Sequence, residues 1–372
     1  MSISILSNRQ TDRQTDRQTD RQTDRQTDRQ TDRRNISLDI AKGIGIVLVV
    51  LGHTKAPREI ISLIYCFHMP LFFIISGYLF NFEKWKSKFS AFVRSRLERL
   101  IIPYFLTVVC FFYPFWLFLG RHFGEEKELN LPPLKEFIGI FYGTSADHYM
   151  SFNVPLWFLP CLFVGEIIFF LVLKHLKNIK MKTVAIFGIS SIGLIIGRFY
   201  ALPWSIDIAM VVQIFFWFGY MLKTKGININ FVAGLAALAI LLFRYFFFDS
   251  MDTASRHYNN ILMYFVGGIS GTLFVLWISD FLAKIKLLSK LFSYLGAQSM
   301  TVLMWHNFGF KFASVLFVYG MGIPLAFAHK NYYIIYTFIA TIISLLVLHM
   351  KNKIQNVLRD RGHVKLAKLI NW

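Results

Sequence analysis

From residue 37 onward the chain alternates between long apolar runs and short polar connections. Ten runs stand out: 37–54, 62–81, 100–120, 155–174, 183–198, 206–222, 229–248, 261–282, 298–318 and 331–349. An apolar helix of about twenty residues matches the roughly 30 Å hydrocarbon core of a bilayer. Several runs contain Pro or Gly, which neighbouring helices accommodate in a membrane bundle. The pattern predicts an all-α, polytopic transmembrane helix bundle of about ten spans.

The polar connections fix an orientation. Those at 82–99, 174–182, 223–228 and 283–297, with the tail from 350, carry 21 Lys and Arg, whereas the five alternate connections carry eight. Basic loops stay on the cytoplasmic side, so both termini are expected there. The longest outward connection, 121–154, includes GEEKELNLPPLKEF and TSADHYMSFN and is expected to roof a cavity.

Composition agrees. Of 372 residues, 55% are hydrophobic and 16% charged, with a mean hydropathy of +0.49. Soluble domains carry about 25% charge. The net charge of +19 would suit nucleic acid, but the basic residues follow the loop alternation, which favours the topological reading and no nucleic acid. Cys66, Cys110 and Cys161 fall inside spans and read as packing residues rather than disulfide or metal ligands. No apolar leader precedes the first span, so a cleavable signal peptide is not expected.

Three segments follow. Residues 1–33 include six copies of Arg-Gln-Thr-Asp at 9–32, too polar to bury a core. Written AGA-CAG-ACA-GAC, that repeat is a tetranucleotide run whose gain or loss shifts the frame, so phase-variable expression is expected. Residues 34–350 form the membrane domain. Residues 351–372 are a basic tail with spaced apolar residues, expected to lie along the inner membrane surface. No appended soluble catalytic domain is expected.

Ionisable side chains inside apolar spans mark reaction sites or pathways. The first span holds Asp39, Lys42 and His53. Lys42 to His53 is eleven residues, about 1100° on a helix, so the two share a face roughly 16 Å apart. Asp39 lies one turn before Lys42 and can neutralise it. His68, in FHMP, is expected near the level of His53. A neutral imidazole suits removal of a hydroxyl proton. Arg96 and Arg99, in FVRSRLERLIIPYF, can converge on one anion, although anchoring by snorkelling explains many such arginines. Ser76, Trp157, Glu166, His306 and Asn307 are the remaining candidates for a substrate cavity. Arg244 and Lys311 lie nearer span ends and read as structural. No GxSxG, P-loop, HExxH or CxxC pattern occurs.

With those residues in place, the chain resembles the acyltransferase-3 family of integral membrane O-acyltransferases, especially its fucose O-acetylase-like members, over about residues 34–350. Lys42, ten intervening residues and His53 match its first-helix pattern, in which many relatives carry arginine at the Lys42 position. FHMPLFFIISGYLF, RSRLERLIIPYF, LWFLPCLF and the LGAQSM…H segment resemble further blocks. The resemblance implies transfer of an acyl group, usually acetyl, from cytoplasmic acetyl-CoA to a sugar hydroxyl of an envelope glycan. Such glycans include lipopolysaccharide, O-antigen and lipid-linked precursors. It implies His53 and Asp39 as catalytic residues, His53 acting as general base or as transient carrier of the acetyl group and Asp39 pairing Lys42, with Lys42, Arg96 and Arg99 on the donor phosphates. His68, Ser76, Trp157, Glu166, His306 and Asn307 would line the cavity. No metal is expected, because a thioester is already activated. The expected location is a bacterial inner membrane, as a single chain or homo-oligomer. A transporter or flippase for a lipid-linked sugar or small solute is the competing class.

Overall fold

The computed structural model describes residues 36–122, 130–146, 149–361 and 363. The Arg-Gln-Thr-Asp repeat, Asp147, His148 and most of the basic tail lie outside the described residues. Among those described there are no strands beyond one isolated bridge between Asp252 and His257. The expected all-α bundle is what forms.

Each predicted run falls on a helix. They are α1 (36–52), α2 (Arg58–Leu79), α3 (Phe89–His122), α4 (Ser151–His175), α5 (Ile179–Phe199), α6 (Pro203–Val211 with Gln213–Thr224), α7 (Phe231–Phe247), α8 (Ile261–Leu282), α9 (Ser299–Gly320) and α10 (Tyr333–Asp360). Seven of these are long and apolar enough to cross a membrane. An eighth, α6, qualifies when its two halves are counted as one span, bent by 53°. Helix α7 is apolar but shorter, and α1 begins at the first described residue. Helix α10 runs unbroken past the expected span end at 349, with Lys351 and Gln355 buried on it.

Local chemistry explains the irregularities. Helix α2 breaks at Cys66–Phe67, just before Pro70. Helix α3 contains two π-helical turns, Leu97–Ile101 and Val108–Phe112, each immediately preceding a helical turn that opens on a proline, Pro103 or Pro114. Proline has no N–H for the carbonyl four residues back, so the preceding turn widens. At the bend in α6, the buried amide of Gln213 donates to the carbonyls of Ala209 at 2.7 Å and Gly165 at 3.1 Å. Freed backbone groups inside a bundle need such partners.

Helix α2 packs on α6 and α8, α7 on α8, and α9 on α10. Helix α5 turns Val184, Ile195 and Phe199 outward, and α10 does the same with Ile334 and Phe338. A rim of large exposed apolar side chains is the surface a bilayer requires. Cys66 and Cys161 are buried, whereas Cys110 is exposed on α3, so the expectation of three packing cysteines holds for two. Arg244 does not snorkel. It is 2% exposed, and its Nη1 donates to the Cys66 sulfur at 2.9 Å while Nη2 donates to the Asp249 carbonyl.

Candidate active site

At the starting end of α1 the bundle encloses a cavity of about 240 Å³ whose wall includes Lys42, Ser76, Arg96, Arg99 and Glu166. Helix geometry gathers them. Lys42 comes from α1, Ser76 from the end of α2, the two arginines from the first turns of α3, and Glu166 from deep in α4. The widened turn Leu97–Ile101 begins directly after Arg96 and contains Arg99. Both arginines nevertheless reach the cavity.

The cations there are partly neutralised. Lys42 Nζ lies 2.6 Å from Asp39 Oδ1, one turn earlier on α1. Arg96 forms an ion pair with Glu166, with only 16% and 9% of the two side chains exposed. Arg99 lines the same cavity. The wall therefore carries three positive side chains and one negative one, an arrangement suited to an anion. Close backbone approach shapes the floor. A Cβ on Gly296 would collide with the Asp39 carbonyl, and one on Gly43 with the Phe292 carbonyl. Helix 286–297 can thus press directly on α1 beside the Asp39–Lys42 pair.

Toward the other end of α1 the wall becomes apolar, with Val49, Phe158, Leu159 and Leu303. His53 and His306 are not part of it. They sit about one helical turn farther on, His53 four residues past Val49 and His306 three past Leu303. His53 is half-buried in the turn that follows α1, not within the helix. Its ring centroid is 5.5 Å from that of His306, with 30° between the planes. His68 belongs to the same end of the bundle: its ring lies 4.8 Å from Tyr65, whose hydroxyl donates to the Gly52 carbonyl at 3.1 Å.

Two of these imidazoles have defined tautomers. Nδ1 of His68 is 3.0 Å from the Ile64 carbonyl, and Nδ1 of His306 is 3.0 Å from the Val302 carbonyl. A carbonyl only accepts, so each Nδ1 bears the hydrogen and each Nε2 presents a lone pair.

The other candidates divide. Ser76 and Glu166 line the cavity, while His68, Trp157, His306 and Asn307 do not. Trp157 is buried in the core, and its neighbour Phe158 takes the place on the wall. Asn307 donates to Asn153 Oδ1 at 3.0 Å, and Asn153 in turn donates to the Met304 carbonyl at 3.1 Å. That network ties α9 to α4. Asn307 also borders a small aromatic cleft with Phe112, Phe115, Trp116, Phe152 and Lys311.

One ion pair escaped the pattern. Arg256, at φ 61°, grips Asp207 with two bonds, Nε to Oδ2 at 2.6 Å and Nη2 to Oδ1 at 3.1 Å. It also donates to Thr144 at 3.3 Å. This clamp fixes the 249–260 connection over the end of the bundle near the histidines. Asp207 lies inside a predicted apolar span, and that was the available signal. Glu136, in the 121–154 connection, is buried and accepts from the Ser151 backbone N–H at 2.8 Å.

Comparison with known proteins places this geometry. Residues 35–349 match the acyltransferase-3 model, described as an acyltransferase domain. The chain is also similar to Nodulation protein NolL of Sinorhizobium fredii and to Nodulation protein NolL of Mesorhizobium japonicum. Each is 40% identical over 81 residues, covering 19% of this chain and 22% of the relative. These matches thus span about a fifth of either chain. No solved structure matches. With a family model extending over nearly the whole helical bundle, from before Asp39 to beyond His306, the chain belongs to the acyltransferase-3 family.

Proposed function

We propose that this protein is a membrane O-acetyltransferase that moves acetyl from acetyl-CoA to a sugar hydroxyl of a cell-envelope glycan or its lipid-linked precursor. One observation carries the reading. A cavity with Lys42, Arg96 and Arg99 at one end leads along α1 and α9 toward a pair of imidazoles, His53 and His306. A cationic mouth suits the donor's phosphates. Its apolar far end suits the pantetheine arm rather than the charged nucleotide.

In this reading all ten helices span an inner membrane with both termini in the cytoplasm, as the Lys and Arg alternation favours. The arginine end then faces the cytoplasmic donor, and the histidine end faces the acceptor. His53 acts as general base on the acceptor hydroxyl, within the range of about 10²–10⁴-fold that such bases supply. The Arg-Gln-Thr-Asp repeat lets the gene switch on and off by slippage.

The test is a His53→Ala strain. Surface glycan should lose acetyl mass while the variant still accumulates in the membrane fraction. Full acetylation in that strain would remove His53 from the mechanism. Unchanged glycan combined with altered solute uptake on deleting the gene would instead indicate transport.

A further inference from the structure

His306 is fully buried. Its Nδ1–H is committed to the Val302 carbonyl, and its Nε2 is a buried acceptor with no hydrogen-bond partner among the described residues. A buried polar atom left unmet is destabilising, and such atoms call for an explanation. Phe310 packs edge-on against the ring at 5.6 Å, while the His53 ring lies 5.5 Å away. No hydrogen bond joins the two imidazoles in this structure. His53 lies half-buried in the turn that follows α1, whereas His306 is fully buried within α9.

We infer that His306 is the positioning residue for His53: its Nε2 accepts the N–H of the His53 ring and so turns the opposite His53 nitrogen toward the acceptor hydroxyl. This rests on the acyl-transfer reading above. The step balances without further reactants. The hydroxyl O–H breaks and its proton passes to His53, as the oxygen bonds to the thioester carbonyl carbon. The tetrahedral intermediate then collapses with cleavage of the C–S bond, and the departing thiolate takes the proton from His53. His306 stays neutral throughout. Its lone pair fixes the His53 tautomer and steadies the transient imidazolium, the part a carboxylate plays in a serine-hydrolase triad.

Three substitutions separate positioning from packing. His306→Gln places an amide oxygen near the Nε2 position and keeps the acceptor. His306→Asn keeps a donor for Val302 and loses the acceptor. His306→Leu loses both. Full-length protein in lipid nanodiscs is assayed with acetyl-CoA and glycan extracted from cells lacking the gene. Turnover should fall at least about a hundredfold in the Asn and Leu variants and less than about tenfold in the Gln variant. KM for acetyl-CoA should stay within twofold in all three. Asn equal to or better than Gln would reduce His306 to a packing residue and overturn the inference.

A second measurement needs no turnover. Solid-state NMR of ¹⁵N-histidine-labelled protein, with His53 assigned by difference against His53→Gln, should show one His53 tautomer in the wild type and a mixture in His306→Leu. Two tautomers in the wild type would overturn the pairing even if acetyl transfer were observed. A single tautomer lost in His306→Leu would uphold the pairing even if no acetyl reached the glycan, in which case the acyltransfer reading alone would fall.

Discussion

Glu166→Gln is the most informative change at the cationic end of the cavity. It keeps the volume of the side chain and removes the one negative charge on a wall that also carries Lys42, Arg96 and Arg99. The pair it breaks is shielded, with 16% of Arg96 and 9% of Glu166 exposed. Stranding one member of a buried pair costs about 3–5 kcal/mol. Because Arg96 borders a polar cavity, the lower part of that range is expected. The donor should feel the opposite effect. A unit negative charge about 7 Å from a bound phosphate, at an effective dielectric of about 30, repels it by roughly 1.6 kcal/mol, or about fifteenfold in affinity. The variant should therefore be less stable when empty and bind acetyl-CoA, the proposed donor, about fifteenfold more tightly. Isothermal titration gives the affinity, and thermal unfolding in detergent with and without acetyl-CoA gives the stability, the ligand restoring more in the variant than in the wild type. Weaker binding would mean that Glu166 itself contacts the donor. No change in either quantity would refute the electrostatic account of this cavity.

Other perturbations probe other parts of the molecule. Asp207→Asn removes the charge gripped by Arg256 and should destabilise the bundle by about 3 kcal/mol, measured as a lowered unfolding midpoint with membrane insertion retained. Gly296→Val places side-chain atoms against the Asp39 carbonyl; overpacking of that kind costs about 1–3 kcal/mol. Its signature would be weakened donor binding, as the Asp39–Lys42 pair is displaced, seen by titration with acetyl-CoA. An in-frame deletion of residues 9–32 should leave unfolding midpoint and glycan acetylation unchanged, since a polar repeat buries no core; a lowered midpoint would give the repeat a structural role.

Hydropathy located the helices well, since every expected run lies on one, although seven of those helices, or eight with the bent pair as one span, have the length and composition a bilayer demands. Irregularities were harder to read. Pro103 and Pro114 are visible in the sequence, but whether a proline yields a kink or a widened turn depends on the neighbours that receive the freed carbonyls. Helical phase put Lys42 and His53 on one face of the first helix, of which Lys42 lines the cavity and His53 does not. It could not show that the cavity wall ends at Val49, because that depends on how Phe158 and Leu303 pack from other helices. His306 was legible as a charge-capable residue within a span; its contact with His53 joins positions 253 residues apart and leaves no trace in local spacing. Arg256 was hidden for a different reason. It lies in a connection, where one basic residue attracts no attention until the fold brings Asp207 beneath it.

The apolar stretch of wall between the arginines and the histidines has a consequence for energy conservation. A water-filled bore joining the two faces of a membrane would dissipate the ion gradients stored across it. Ions shed hydration only at great cost, so a wall of Val49, Phe158, Leu159 and Leu303 disfavours them, whereas the uncharged thioester arm of the proposed donor would carry no such penalty. On the acyl transfer proposed above, the group would pass from one compartment to the other without opening a path for protons or salt.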